Sequence, residues 1–161
     1  MKNRRLVISL LLIVLFVVFS CGGTPEEKRD KHMVRGDAYF EKQDYNKAII
    51  EYKNAVQADP KFARAHYQLA LAYLKTPQPQ EAFAELSKTV DLNPDNFDAQ
   101  LKLGQFYLLG KKTEEAREKA DFVLEKAPDN LDALFLQTGV LLQEGKAEEA
   151  EQTLKRMIAI E

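Results

Sequence analysis

The sequence predicts an all-α protein, a solenoid of antiparallel helix pairs, because three classes of residue recur with a period of 34. Proline recurs at Pro60, Pro94 and Pro128. The other two classes are a large residue and an alanine, at Tyr39, Tyr73, Tyr107 and Leu141 and at Ala48, Ala82, Ala116 and Ala150. A fixed period of this length without gaps is typical of stacked two-helix units that share one continuous core.

Each unit contains two apolar patterns of helical periodicity. In the first unit they cover residues 36–42 and 45–58, and Asp59-Pro60 closes the unit. Proline ends each unit because it lacks the N–H that a helix interior needs, yet it is accepted where the next helix starts. Small or polar residues predict the turn inside the unit, at Gln43-Asp44, Gly110 and Gly145.

The turn of the second unit differs from the others. Its sequence is Thr76-Pro77-Gln78-Pro79. Two prolines fix φ at two nearby positions and remove two N–H donors. We therefore predict a stiffer, differently shaped and exposed turn at residues 76–79.

A helix start is predicted close to the N-terminal end of the array. Thr24 precedes Pro25, and Glu27 follows Thr24 by three residues, which is the pattern of a capping box with proline at the first helical position. We expect the first helix to begin within a few residues of Cys21.

These features resemble the tetratricopeptide-repeat (TPR) family over residues 29–161. Position 8, small in the family, holds Gly36, Ala70, Gly104 and Thr138, and position 24, large in the family, holds Tyr52, Leu86 and Ala120. Thr138, with Gly139 one place later, and Ala120 depart from the family pattern. The resemblance implies a right-handed superhelix of about four repeats, at residues 29–62, 63–96, 97–130 and 131–161, the last of them incomplete.

The fourth repeat stops at its position 31, before the place where the earlier repeats have proline. No polar capping helix follows it, whereas repeat arrays ordinarily need a cap on the last apolar face. We expect either a truncated version of a longer array or an end that a partner or a second copy covers.

Residues 1–20 are predicted to be a signal peptide of the lipoprotein type. Basic residues precede an apolar run over residues 6–19, which is shorter than a membrane-spanning helix. Residues 18–22, Val-Phe-Ser-Cys-Gly, resemble a bacterial lipobox, although Phe19 is bulky for its position. The resemblance implies that Cys21, the sole cysteine, carries acyl chains such as palmitate, with residues 21–28 as a short linker.

Two alternatives for this segment stay open. One is ordinary signal-peptidase cleavage after Ser20 or Gly22, and the other is an uncleaved anchor in which Cys21 has no role. Several acyl chains together anchor a protein stably. Because Gly22 is not the Asp that retains lipoproteins at the inner membrane of enteric bacteria, we expect the periplasmic face of the outer membrane.

Charge and motifs exclude several classes of function. Without the three basic residues of the signal segment, 20 basic side chains face 25 acidic ones, a net charge of about −5 that repels phosphate backbones. No Gly-rich phosphate loop, paired-Cys motif or G-x-S-x-G elbow is present. We expect no enzyme activity, no catalytic residue, no cofactor, no small-molecule substrate and no nucleic-acid partner.

His32 and His66 are the candidates for a metal site or an acid–base pair. Both occupy position 4 of a first helix, and equivalent positions on packed helices lie about 8–10 Å apart. Metal ligands must each lie about 2 Å from the ion. We therefore predict packing roles for both histidines and no metal site.

In the TPR family, positions 2, 5, 9, 12 and 13 of the first helices form the concave face. The predicted partner-binding residues are Met33, Asp37, Phe40, Arg64, Tyr67, Leu71, Leu74, Leu101, Gln105, Leu108, Phe135 and Leu142. They lack the Lys, Arg and Asn pattern of the branch that binds C-terminal carboxylates. We expect an apolar or amphipathic partner segment with basic residues opposite the aspartates. Leu71, Leu101 and Phe135 have a second interpretation, as packing residues between adjacent first helices.

The predicted function is a non-enzymatic protein-binding scaffold in the bacterial cell envelope that supports assembly or export of an envelope complex. The resemblance extends to the repeat lipoproteins of pilus assembly and of exopolysaccharide export and protein sorting, the latter through residues 48–55. The alternative is an adaptor that presents substrates to a separate envelope hydrolase or protease. Binding on the convex face also stays open.

Overall fold

The structure, a computed structural model, describes residues 23–160, and within this range the chain forms eight helices and no strand. The helices are α1 (Pro25–Glu41), α2 (Tyr45–Ala58), α3 (Ala63–Leu74), α4 (Pro79–Leu92), α5 (Phe97–Leu109), α6 (Thr113–Lys126), α7 (Leu131–Gln143) and α8 (Ala147–Ile160). The predicted signal peptide and Cys21 lie outside the described residues. None of the helices between residues 23 and 160 combines the length and the apolar character needed to cross a membrane.

The helices pack in chain order. Each of the four pairs α1–α2, α3–α4, α5–α6 and α7–α8 makes extensive internal contacts, and the second helix of each pair also packs against the first helix of the next. The predicted all-α solenoid of helix pairs is confirmed.

Alanine allows the helix pairs to approach each other closely. Ala65, Ala99 and Ala133, each the third residue of its helix, are fully buried at the three boundaries between units. Each of them belongs to a core cluster that crosses a boundary, so that the clusters together run from α1 to α7. The core is therefore continuous along the stack and is not divided into separate units.

The start of α1 has the predicted capping box. The Thr24 hydroxyl accepts a hydrogen bond from the Glu27 amide at 3.2 Å, and the Glu27 carboxylate accepts one from the Thr24 amide at 3.0 Å. Pro25 is the first helical residue. The amides of Thr24 and Glu27, which have no partner within the helix, are thus both hydrogen-bonded. These local bonds fix the start of α1 without tertiary contacts.

The turns inside the units depend on one backbone position. Gln43, Lys111 and Gly145, at equivalent places in the first, third and fourth units, have φ values of 59°, 57° and 76°. Glycine adopts this left-handed conformation without steric cost, whereas glutamine and lysine do not. Gly110, one residue earlier, has an ordinary φ of −78°. The sequence therefore identified the turn at residue 110 correctly but not the residue that makes it.

The second unit has Pro77 at this same position, and proline cannot adopt positive φ. The turn is instead closed by the Gln78 amide, which donates to the Thr76 carbonyl at 2.8 Å, and by the Gln78 side chain, which donates to the Thr76 hydroxyl at 3.0 Å. Pro77 and Pro79 are exposed, and α4 begins at Pro79. The prediction of a different, exposed turn is confirmed.

Two departures from the family pattern are compensated by neighbouring residues. Ala120 stands where the family has a large residue, and Leu136 from the next unit lies against Gly104 instead. A Cβ on Gly104 would stand 2.4 Å from the Cδ2 atom of Leu136. Thr138 is buried in place of a smaller residue, and its hydroxyl donates to the Leu134 carbonyl at 2.8 Å. Neither departure leaves a polar group without a partner or a side chain without space.

Gly36 is in contact with the ring of Tyr52. A Cβ at Gly36 would lie 2.4 Å from Tyr52 Cε1, closer than two carbon atoms can approach. We predict that Gly36→Ala lowers the free energy of unfolding by about 1–3 kcal/mol, because the overlap outweighs the roughly 1 kcal/mol that alanine gains in a helix. Urea denaturation followed by circular dichroism measures this change.

The double variant Gly36→Ala/Tyr52→Leu reproduces the pair that Ala70 and Leu86 form in the second unit. It should show a favourable coupling energy, since leucine leaves room for the new methyl group. Gly110→Ala is the matched control, because a Cβ there meets nothing closer than 3.4 Å. Additive effects of the two substitutions would contradict the steric explanation.

Candidate functional site

The predicted partner-binding strip divides by exposure. Met33 and Leu101 are only 4% exposed and belong to the core clusters. Because a partner has almost no surface of either side chain to contact, both serve mainly to pack the stack. Leu71 is half-buried.

Exposed apolar members of the strip lie on α3, α5 and α7. Leu74, Phe135 and Leu142 are 39%, 62% and 57% exposed, and Leu109, at the same family positions, is 83% exposed. Gln105 is exposed between them in sequence. Large apolar side chains in this state do not contribute to the core, which leaves them available to a ligand.

Leu108 is half-buried and has a structural role. Its Cδ2 atom would stand 2.7 Å from a Cβ placed on Gly139, so that the glycine makes room for it. The Leu108 carbonyl accepts a hydrogen bond from Gln143 Nε2 at 2.9 Å. This bond joins the last turn of α5 to the last turn of α7, which places Leu109 and Leu142 on adjoining turns.

At the N-terminal half of the strip, polar members are bound to one another. Asp37 accepts hydrogen bonds from the Tyr52 hydroxyl at 2.8 Å and from Arg64 Nη2 at 2.9 Å. Burial, followed by the bond to Asp37, raises the pKa of Tyr52, so its hydroxyl stays protonated and continues to donate. Phe40 is half-buried and makes an edge-to-face contact with Tyr45, with ring centroids 5.2 Å apart.

Tyr67 connects α3 to α5. Its hydroxyl donates to Asp98 Oδ2 at 3.4 Å. Burial and the charge of Asp98 raise the pKa of Tyr67 to about 12, so that this hydroxyl remains a donor across the physiological range. The hydrogen bond to Asp98 thus fixes the polar end of the half-buried Tyr67 ring.

His66 is buried, and both of its ring nitrogens face oxygen acceptors. Nδ1 lies 2.6 Å from Glu85 Oε2, and Nε2 lies 3.0 Å from the Pro60 carbonyl oxygen. A carbonyl oxygen only accepts, and so Nε2 must carry hydrogen. Burial by itself lowers the pKa of His66, but the hydrogen bonds to Glu85 and Pro60 outweigh it, and the pKa is raised above the usual 6.5. His66 therefore ties α3 both to α4 and to the turn that precedes α3.

The same position is polar in the neighbouring units. Gln100 Nε2 donates to the Pro94 carbonyl at 2.9 Å, which repeats the bond from His66 to Pro60. His32 Nδ1 lies 2.6 Å from Glu51 Oε2, which repeats the pairing with Glu85. Within residues 23–160, no three His, Cys, Asp or Glu side chains gather as metal ligands.

We predict that the stability of the protein falls with rising pH because of His66. A raised folded-state pKa means that the protonated ring stabilises the fold fully below pH 6.5 and that this contribution is lost as pH rises through the folded-state pKa. His66→Gln should flatten the dependence over this window, since glutamine keeps a donor for Pro60 as Gln100 does for Pro94. Urea denaturation at a series of pH values between about 5.5 and 9 measures the slope.

Glu85→Gln should flatten the slope as well, because it replaces the carboxylate that favours the charged ring with a neutral amide. If both variants retain the slope of the unchanged protein above pH 6.5, another group is responsible for it.

Three family models of the same repeat match the chain: a TPR repeat over residues 36–76, a tetratricopeptide repeat over 78–121 and a tetratricopeptide repeat over 111–161. The structure is an array of antiparallel helix pairs, and the repeat models match almost all of it. The chain is a tetratricopeptide-repeat protein. No curated protein sequence matches it.

Solved structures share the fold. PilF of Pseudomonas aeruginosa superimposes with a TM-score of 0.70 at 22% sequence identity. The match covers 84% of this chain but only 62% of the PilF chain. YrrB, described as a TPR protein with an unusual peptide-binding site, superimposes with a TM-score of 0.73 at 23% sequence identity. The match covers 84% of this chain and 70% of the YrrB chain. Likenesses at this level of identity establish the fold alone.

The second TPR domain of human RPAP3, in complex with the HSP70 peptide SGPTIEEVD, has a TM-score of 0.64 at 25% identity. The match covers 72% of this chain and 97% of the RPAP3 domain. Tetratricopeptide-repeat proteins are generally non-enzymatic scaffolds, and structural neighbours of this chain bind peptides. The fold thus supports a role in protein–protein interaction.

Proposed function

We propose that the protein is a non-enzymatic scaffold whose concave strip binds an apolar or amphipathic segment of a partner protein. The observation that carries the proposal is the set of exposed apolar residues of the strip on α3, α5 and α7, namely Leu74, Leu109, Phe135 and Leu142. Their exposure costs free energy in water, and a bound apolar segment removes that cost. The helices fix the backbone positions of these residues, so no backbone segment of the strip has to become ordered on binding.

The charges on the strip indicate the polar character of the partner. Arg64 is bound to Asp37, and no ion pair joins Asp98 or Asp132 to another described residue. Both carboxylates are at exposed residues. An amphipathic segment that carries Lys or Arg beside its apolar face therefore matches the strip better than an acidic one.

Structural neighbours support this proposal. RPAP3 binds a peptide in its TPR domain, and YrrB is described as having a peptide-binding site. The peptide bound by RPAP3 is acidic at its C-terminal end, whereas the strip of this chain presents Asp98 and Asp132. We infer that the mode of binding is shared and that the charge preference is different.

Leu109→Glu should weaken partner binding without unfolding the protein, because the side chain is 83% exposed and no core contact is lost. A loss of affinity of about tenfold or more is expected. The experiment is photo-crosslinking in cells from an unnatural amino acid at residue 142, with and without Leu109→Glu, followed by mass spectrometry.

Ile50→Glu is the matched control, since Ile50 is another exposed apolar residue, 58% exposed, on α2 and outside the strip. A partner captured from residue 142 that tolerates Leu109→Glu as well as Ile50→Glu would contradict binding in the strip. Leu108→Glu is a less informative substitution, because Leu108 packs between α5 and α7.

We also propose that the scaffold is held on the bacterial cell envelope by lipid on Cys21, on the periplasmic face of the outer membrane, and there supports assembly or export of an envelope complex. The motif around Cys21 and the apolar run before it support the anchor. Because α1 begins at Pro25, only three residues, 22–24, separate Cys21 from the first helix, a reach of about 10 Å. The array would therefore lie against the membrane and bind partners that are close to it.

Cys21→Ser should release the protein from the membrane fraction and abolish metabolic labelling with a palmitate analogue. The physical reason is that the acyl chains supply the membrane affinity, and serine cannot form the thioether that begins their attachment. Fractionation of cells that express each form measures the effect. Retention of Cys21→Ser in the membrane fraction would favour an uncleaved apolar anchor.

A further inference from the structure

The outward side of α1 carries a row of cations that we call the basic face. Lys28, Lys31, Arg35 and Lys42 form it, and all four side chains are exposed. Residues at this spacing lie within about 60° of one another around a helix of about 3.6 residues per turn. At about 1.5 Å of rise per residue, the row is about 21 Å long.

The acidic residues in the middle of α1 lie on another side of the helix. Asp30, Asp37 and Glu41 are at least about 80° away from the basic face around the helix axis. Asp37 accepts a hydrogen bond from Arg64 of α3 at 2.9 Å, and Asp30 is paired with Arg29 at 2.7 Å. The sequence intersperses the two signs of charge, whereas the helix separates them.

Glu27 and Glu51 border the basic face, and each has a closer partner. Glu51 of α2 lies 4.0 Å from Arg35 Nη1 but 2.6 Å from His32 Nδ1, and its side chain is only 16% exposed. Glu27 is held by the capping box at the start of α1. No ion pair within residues 23–160 involves the three lysines of the basic face. The basic face therefore keeps most of its positive charge towards solvent.

In the other first helices, the equivalent face packs against the preceding unit. The position of Lys31 holds a fully buried alanine in α3, α5 and α7, and the position of Arg35 holds a leucine at most 3% exposed in α3 and α5. A face that only had to remain in water could carry polar residues or charges of either sign. A row of a single sign indicates an anionic surface opposite it.

The rest of the array carries the opposite charge. Residues 43–161 contain 15 basic and 20 acidic side chains. An anionic surface therefore repels the later units and attracts the basic face, which orients the stack with α1 nearest to that surface. The proposed anchor is at the same end, since only residues 22–24 separate Cys21 from α1.

We propose that the basic face of α1 lies on a bilayer that contains anionic phospholipids. This inference rests on the proposed lipid anchor at Cys21 and adds which face of the array meets the membrane. Lipid chains combined with neighbouring basic residues hold a protein on a membrane more firmly than either does alone. Val34, which is 70% exposed beside the basic face, can approach the headgroups without bringing a carboxylate with it.

The proposal also gives the orientation of the array. The side of a first helix that carries the basic face in α1 is the side that faces the preceding unit in α3, α5 and α7. The later units therefore extend away from the bilayer, and the concave strip stays open to a partner.

Lysine acetylation of the full chain tests the proposal. The chain is purified from the membrane fraction and bound to vesicles of phosphatidylcholine, with or without phosphatidylglycerol. A membrane-impermeant reagent acetylates exposed lysines, and mass spectrometry measures the rate at each. Phosphatidylglycerol should slow acetylation of Lys28, Lys31 and Lys42 about threefold or more and leave the exposed Lys88 and Lys111 unchanged. At about 1 M salt, where the screening length is about 3 Å, the difference should disappear.

Two double variants separate the basic face from net charge. Lys28→Glu/Lys31→Glu should remove the protection of Lys42, because too few cations remain on the face. Lys88→Glu/Lys111→Glu makes the same change in net charge elsewhere and should retain that protection. None of these residues belongs to a core cluster, so circular dichroism should show an unchanged fold.

Each failure has its own meaning. A chain that stays on both kinds of vesicle, with equal acetylation of the three lysines, would overturn this proposal and leave the anchor intact. A chain that stays on neither would overturn the anchor and this proposal with it. Protection in isolated cell membranes but on neither kind of vesicle would also overturn it, because the occupant would then be an acidic membrane protein.

Discussion

The second helix of each pair can remove its apolar face from water only where the first helix of the next pair lies against it. Tyr52, Leu86 and Ala120 are at most 1% exposed because they pack against the first helix of their own unit on one side and against α3, α5 or α7 on the other. The close approach depends on alanine at the third residue of each covering helix. Stability is therefore shared between the units and the boundaries that join them.

This dependence explains which part of the fold could be predicted from the sequence. The 34-residue period places proline, alanine and a large residue in one register, and that register determines where each helix of the array begins and ends. The capping box at Thr24 was also predictable, since both of its hydrogen bonds are local. Features that depend on one chain segment and its own backbone are visible in the sequence.

Features that depend on contacts between units were not predictable in the same way. Leu136 fills the space beside Gly104 that the family pattern assigns to position 24, and nothing local to Ala120 indicates this substitute. Similarly, the left-handed residue of the third turn is Lys111 and not the adjacent glycine, because the register of the two helices selects the position. Residue type alone would have favoured Gly110.

The candidate site shows the same limit. Family position indicates that Met33, Leu101 and Phe135 face the same way, but their exposure depends on the helix that follows: the first two are covered, and Phe135 is not.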